Sequence, residues 1–176
     1  MPDTPPPESI RAYRQADREQ VAALWARINR ELAPADLREA FEQYIAGPLA
    51  DELLRLHDVF AAGKRNVFWV VTLGDEIIGT FGIEARGRDT TELRRMYLDR
   101  RHRGKGLAQR MLEWAESRAR ALGFSTMILS TAEIQRAALK FYRRNGYCLV
   151  NTEVAETMSV RTVGSGLKRF HFEKPL

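Results

Sequence analysis

The chain has 176 residues, 44% of them hydrophobic, and a formal net charge of +5. That size suits one domain with a substantial core, and no apolar run approaches the roughly eighteen residues of a membrane span. The lone cysteine, Cys148, excludes an internal disulfide framework and fits a reducing cytoplasm, while His57, His102 and His171 give no metal-ligand spacing.

Residues 1–9 are Pro-rich and are expected to form a disordered tail, with residues 10–176 as a single domain. Ile10 to Arg14 reads as a first strand. Asp17 followed by Gln20 has the form of a capping box, and Val21, Leu24, Trp25 and Ile28 follow at helical spacing. A second helical region is expected from about Asp36 to Ala62, broken or kinked at Gly47-Pro48 and stopped by Gly63.

Val67 to Leu73 and Glu76 to Glu84 read as a hairpin around Gly74-Asp75. Thr91 to Leu98 is the next strand. Its apolar positions, Leu93, Met96 and Leu98, are spaced by three and then two, which predicts a bulge near Arg95–Met96. A helix carrying Leu107, Met111, Leu112, Ala115 and Ala119 then leads to a short buried strand, Ser125 to Thr131. Strand, long helix and strand in this order predict a right-handed parallel crossover. A helix over Ile134 to Arg144, a strand from Tyr147 to Val150, and a hairpin of Met158–Val163 with Lys168–Glu173 complete an α/β domain. Cys148, in an apolar strand with no histidine placed beside it, is expected to be a core residue rather than a nucleophile.

The most informative stretch is Leu93 to Ala108, where a strand runs into a basic, glycine-punctuated turn that opens a helix. Free N–H groups and the positive end of the dipole at a helix start suit phosphate, and glycines admit it close to the backbone. A P-loop would need glycine where Asp99 stands and Ser or Thr where Gly106 stands. A dinucleotide fingerprint would need a third glycine at Gln109. Between Arg94 and Arg110 the local charge is +6, so the remainder of the chain sums to −1. Basicity thus concentrates at the loop, and no second basic block interleaved with aromatics argues for nucleic acid.

What fits is Arg-x-x-Gly-x-Gly at Arg101, Gly104 and Gly106. This resembles the acyl-CoA motif of the GNAT superfamily of acetyl-CoA-dependent N-acetyltransferases. Glu92-Leu93-Arg94-Arg95-Met96-Tyr97-Leu98 and the segment Ala137 to Tyr147 resemble that family's bulged strand and late helix. The order of elements is similar over residues 10 to 175. The resemblance implies the GNAT fold, a mixed and mostly antiparallel sheet flanked by helices, with a parallel crossover at the CoA site.

It also implies roles. Pantetheine would lie along Met96, Tyr97 and Leu98. The pyrophosphate would sit on the loop Arg101, Arg103, Gly104, Lys105 and Gly106, with Leu107 and Ala108 at the helix start. Tyr142 occupies the position of the acid that protonates the departing thiolate, with Phe141 beside it, and Glu92 that of a general base, with Glu84 or water as alternatives. Gln135 stands where the family usually has Asn against the pantetheine. The implied reaction is direct transfer of acetyl from acetyl-CoA to a primary amine, without a metal. Small amines and amino acids, macromolecular amines (protein or aminoacyl-tRNA), and a non-catalytic acyl-CoA sensor all stay open. The resemblance also admits a homodimer. The segments that set the acceptor in relatives, here 25–65 and 158–172, carry mixed charge, including Arg30, Glu31, Glu42, Arg161 and Arg169.

Overall fold

The computed structural model describes residues 8–60 and 65–176. A seven-stranded sheet runs in the order β1-β2-β3-β4-β5-β7-β6. The strands are β1 (Glu8–Ala12), β2 (Val67–Leu73), β3 (Glu76–Ala85), β4 (Thr90–Leu98), β5 (Thr126–Ala132), β6 (Cys148–Ala155) and β7 (Leu167–Pro175). Every neighbouring pair is antiparallel except β4 and β5, which are parallel. The crossover between them is α4 (Leu107–Ala121). The other helices are α1 (Arg18–Leu32), α2 (Arg38–Tyr44), α3 (Ala50–Val59) and α5 (Arg136–Arg144).

Strand alternation sends side chains to two cores. Phe68 and Val70 of β2 pack with Val21, Leu24, Trp25 and Leu56 from α1 and α3. Trp69 and Val71 pack on the other face with Phe81, Met111, Leu112 and Tyr142, from β3, α4 and α5. A period of two in the strand and 3.6 in each helix is enough to produce this layering.

Several local expectations are corrected. The first strand begins at Glu8, which pairs with Leu73, so the chain is ordered two residues before Ile10. Asp17 forms no capping box with Gln20. Its carboxylate accepts instead from the Arg14 N–H at 2.7 Å and from both terminal nitrogens of Arg11, because a 3-10 turn at Gln15–Asp17 precedes α1. Gln20 is spent on the β2–β3 turn, accepting from the Ile77 N–H and donating to the Asp75 carbonyl. Gly47-Pro48 does not break the second helical region. The backbone widens to a π-helical turn over Ile45–Leu49 and continues into α3, which accommodates a residue lacking an N–H. The predicted end of that region, Ala62 and Gly63, lies outside the described residues, as do residues 1–7 of the tail.

The last hairpin is built differently from the expectation. β6 runs on to Ala155, and Met158–Val163 belongs to the long connection to β7, with only an isolated bridge between Ser159 and Thr162. Positive φ at Gly164, Ser165 and Gly166 turns the chain into β7. Cys148 is exposed rather than in the core, because β6 is an edge strand paired on one side only and nearly all its residues face solvent. Among the described residues, no helix is long and apolar enough to cross a membrane.

Gly82, on β3 opposite the irregular part of β4, has no room for a side chain: a Cβ there would lie 2.4 Å from the Phe68 ring and 3.0 Å from the Val67 carbonyl oxygen. Gly82→Ala is therefore expected to lower stability by about 1–3 kcal/mol, the usual cost of overpacking. Urea unfolding with an unchanged midpoint would contradict this packing.

Candidate active site

β4 and β5 are hydrogen-bonded only from Thr90–Thr126 to Glu92–Ile128. Beyond that point β4 carries a bulge. Arg94 stands opposite Gly82 and Tyr97 opposite Thr80, so Arg95 and Met96 together occupy the place facing Phe81. Arg95 adopts φ +50°, a region costly for a residue with a Cβ. The bulge predicted from the broken alternation is thus present, and it lies where the two parallel strands part. A cavity of about 140 Å³ opens between them. It is walled by residues 92–97 and 129–132, with Gln135 and Tyr142 from the α5 side and Arg161 and Arg169 from the last hairpin.

The bulge is held from both sides. The Arg95 carbonyl accepts from the buried Thr80 hydroxyl at 2.9 Å, and Thr80 accepts from the Trp25 indole at 3.0 Å. The buried Arg95 guanidinium donates to the Tyr44 hydroxyl at 2.9 Å, the Tyr97 hydroxyl at 3.2 Å, the Val160 carbonyl and Glu52. Burial pushes the Tyr44 phenol up to about 12, so it remains a donor, here to the Val160 carbonyl at 3.2 Å. One side chain therefore ties α2, α3, β4 and the β6–β7 connection together.

At the C-terminal end of β4 the chain turns through Asp99–Gly106. Asp99 is buried and accepts from the Arg101 N–H and side chain and from Arg27 of α1. These partners, Arg101 foremost, hold its carboxyl well below the usual carboxylate range. Gly104 and Gly106 have φ of +75° and +80°, and a Cβ at either would meet nothing within 4 Å. None of the backbone N–H groups of residues 104 to 109 donates to another described residue. They form an open cluster of donors at the positive end of a fifteen-residue helix, α4.

The basic side chains of this loop do less than the sequence suggested. Arg101 is turned onto Asp99 and Glu76. Arg103 donates to the Leu98 carbonyl at 2.9 Å and to Glu31 of α1. The unpartnered donors of this loop are therefore backbone N–H groups, including those of Gly104, Lys105, Gly106, Leu107 and Ala108. The Leu98 carbonyl, expected to pair with pantetheine, is already engaged by Arg103.

Tyr142 lines the cavity, and burial raises its phenol well above the ordinary tyrosine value. Its hydroxyl makes no hydrogen bond to the described residues, and no fully buried side-chain polar atom among them lacks a partner, so it opens onto the cleft. Phe141 does not line the cavity; it packs edge-on against the Tyr142 ring at 5.4 Å. Gln135 does line it, but its amide oxygen accepts from the Thr131 hydroxyl and the Ala132 N–H, and its NH₂ makes no hydrogen bond among the described residues.

Glu92 is buried in the cavity wall, with one carboxylate oxygen on Arg86 Nε and the other on Arg161. Glu84 is bonded to Arg86 and Arg94, and Glu52 to Arg94 and Arg95. An unbroken alternating chain results: Arg161, Glu92, Arg86, Glu84, Arg94, Glu52, Arg95. Neither Glu92 nor Glu84 has an oxygen free of a guanidinium, which makes each an electrostatic anchor before it is a proton acceptor. The sequence did not single out Arg95, Tyr44, Arg161 or Arg169 as site residues. Arg95 was signalled by the departure from alternation, and the others only by lying in the segments that set the acceptor in relatives.

Comparison with known proteins agrees with this geometry. The model of the Acetyltransferase (GNAT) family matches residues 21–147. The N-acetylaspartate synthetase of Danio rerio is 28% identical over 137 residues, 77% of this chain and 48% of that protein. The uncharacterized N-acetyltransferase YjgM of Escherichia coli (strain K12) is 31% identical over 106 residues, 58% of this chain and 61% of that one. The chain thus spans about half the length of most of the curated relatives it matches. Among solved structures, an acetyltransferase from Streptococcus agalactiae superposes with a TM-score of 0.74 at 18% identity, covering 96% of this chain and 98% of that one. The PaiA N-acetyltransferase of Thermoplasma acidophilum, in complex with coenzyme A, superposes at 0.67 with 19% identity, covering 97% and 99%.

Arg95→Met removes the guanidinium that offsets the strained bulge and leaves part of Glu52 without its partner. A loss of about 3 kcal/mol is expected, as for breaking a buried ion pair. Denaturant unfolding that shows a change within about 0.5 kcal/mol, the range of ordinary surface substitutions, would mean that Arg95 does not hold the bulge.

Proposed function

The chain belongs to the GNAT acetyltransferase family, and from that premise we propose that it transfers acetyl from acetyl-CoA to the primary amine of a small acceptor, free amino acids included. The observation that carries this reading is the open set of N–H donors at residues 104–109, lying beyond the end of β4, the strand that parts from β5 after Glu92. The fit to a CoA pyrophosphate is chemical: adjoining backbone donors, two glycines in left-handed conformation, and exposed Lys105 beside them.

Acetyl-CoA supplies an acyl carbon already activated as a thioester, with a thiolate that departs. Residues 104–109 hold the pyrophosphate, and Met96, Tyr97 and the Gln135 NH₂ guide the arm between the strands. Tyr142 keeps its proton across the neutral range because it is buried, and its hydroxyl donates that proton as the carbon–sulfur bond breaks. The acceptor ammonium loses one proton to water, since the carboxylates of Glu92 and Glu84 are held by arginines. The amine attacks the thioester carbon, and the second proton leaves its nitrogen and returns to Tyr142 through water as the amide forms. Positioning supplies much of the acceleration.

A small acceptor is favoured over a macromolecule by the size and cover of the cavity. About 140 Å³ is comparable to engineered protein cavities that take up benzene. The β6–β7 connection is tied across it through Val160 to Arg95 and through Arg161 to Glu92. The relatives named N-acetylaspartate synthetase are in keeping with an amino acid as acceptor.

Calorimetric titration tests the cosubstrate. Acetyl-CoA is expected to bind in the micromolar range while NAD and ATP do not. Gly104→Glu should abolish binding while the domain stays folded, with only the modest loss of stability that a side chain at φ +75° brings. Retained affinity in that variant would refute the loop assignment. In an assay of thiol release, Tyr142→Phe is expected to lower kcat by about 10²-fold, within the range of general acid catalysis, with acetyl-CoA affinity unchanged. An unchanged kcat would remove Tyr142 from the proton path.

A further inference from the structure

Every carboxylate of the alternating chain described above is bonded to two arginines, and arginine stands at both ends. Arg169 of β7 is not part of that chain. It lines the same cavity, yet only 6% of its surface is exposed, and the sole hydrogen bond of its side chain among the described residues is to the Ser130 hydroxyl. Glu153 is its cross-strand neighbour in the β6–β7 register, but the two form no ion pair, and one oxygen of the Glu153 carboxylate is held by His171 at 2.9 Å. No carboxylate within the protein forms an ion pair with Arg169 among the described residues.

A guanidinium carries five N–H donors, cannot shed its charge, and is costly to bury without an anion. Burial lowers the Arg169 value from that of an ordinary arginine despite the pull of Glu153 and Glu92 at longer range. The planar fork of an arginine matches a carboxylate through two parallel hydrogen bonds. The charged residues that made the acceptor segments look balanced in sequence cancel elsewhere: Arg30 pairs with Glu42 on the surface, and Glu31 with Arg103. What remains inside the cavity is a surplus of positive charge.

From this arrangement we infer that the acceptor is a carboxylate-bearing amine, a free amino acid, whose carboxylate is bound by Arg169 with the Ser130 hydroxyl beside it. The inference rests on the acetyltransferase reading for the amine's fate, but not for the anion site itself. Arg169 is a specificity-determining residue: it reads the acceptor and leaves the acyl donor alone. A decarboxylated or amidated acceptor would leave the guanidinium buried without its anion, which is the strongest form of discrimination such a site has.

The test is calorimetric titration of the full chain, with saturating CoA, against a panel of free amino acids, with alaninamide and putrescine as controls. At least one amino acid is expected to bind ten times more tightly than either control. Arg169→Met should weaken that binding at least tenfold and abolish the distinction between an amino acid and its amide, with acetyl-CoA affinity unchanged. Arg169→Lys, which keeps the charge without the fork, should fall between the two. Equal binding of amino acids and controls, binding of none of the panel, or a methionine variant that still prefers the carboxylate would each overturn the proposal. If the wild-type protein failed to bind acetyl-CoA, the donor reading would fall alone. The same titration without CoA would still decide the anion site.

Discussion

Two residues of β4 occupy the space that β3 allots to one, and the site is organised around that mismatch. The bulge at Arg95 and Met96 stands where the hydrogen bonding between β4 and β5 stops after Glu92–Ile128, and the parted strands leave the cavity between them. It also drives a non-glycine residue to φ +50°. Such a conformation persists only when the surroundings over-determine it. Here the Thr80 hydroxyl holds the freed carbonyl, and four partners from four segments hold the guanidinium.

The electrostatics follow the same division. At the loop proposed to take the acyl donor, the open donors are backbone N–H groups, while the nearby arginines are used to fix the loop to Asp99, Glu76 and Glu31. Dipoles held by a helix need no reorganisation to receive an anion, which supports the CoA site proposed above. On the acceptor side the arrangement is reversed. Fully charged side chains form a buried network in which each carboxylate is shared between two arginines, and one arginine is left over. A network of this kind contributes little net stability but fixes geometry.

The regular elements were legible in the sequence because their periodicities are local. The hairpin around Gly74-Asp75 and the bulge in β4 follow from spacings within a dozen residues, and the crossover through α4 from the order of three consecutive elements. The glycine loop was legible because left-handed φ is needed at Gly104 and Gly106. Features set by distant partners were not. Arg169 meets Ser130, Arg95 meets Glu52 and Arg161 meets Glu92 across sequence separations of 39, 43 and 69 residues. Local pattern also misled where two outcomes share one signature. Asp17 and Gln20 have capping-box spacing but bind elsewhere, and Met158–Val163 has strand-like composition but is held as a connection by its contacts to Arg95 and Glu92.

The central claim is that the parting of β4 from β5, together with the N–H cluster beyond it, is an acyl-CoA site. Amide hydrogen exchange with and without saturating acetyl-CoA addresses this directly, since it reads the backbone groups invoked. The account predicts slowed exchange at residues 104–109 and along residues 93–98, with β1 and β6 unaffected. Protection confined to other segments, or none at all, would contradict it.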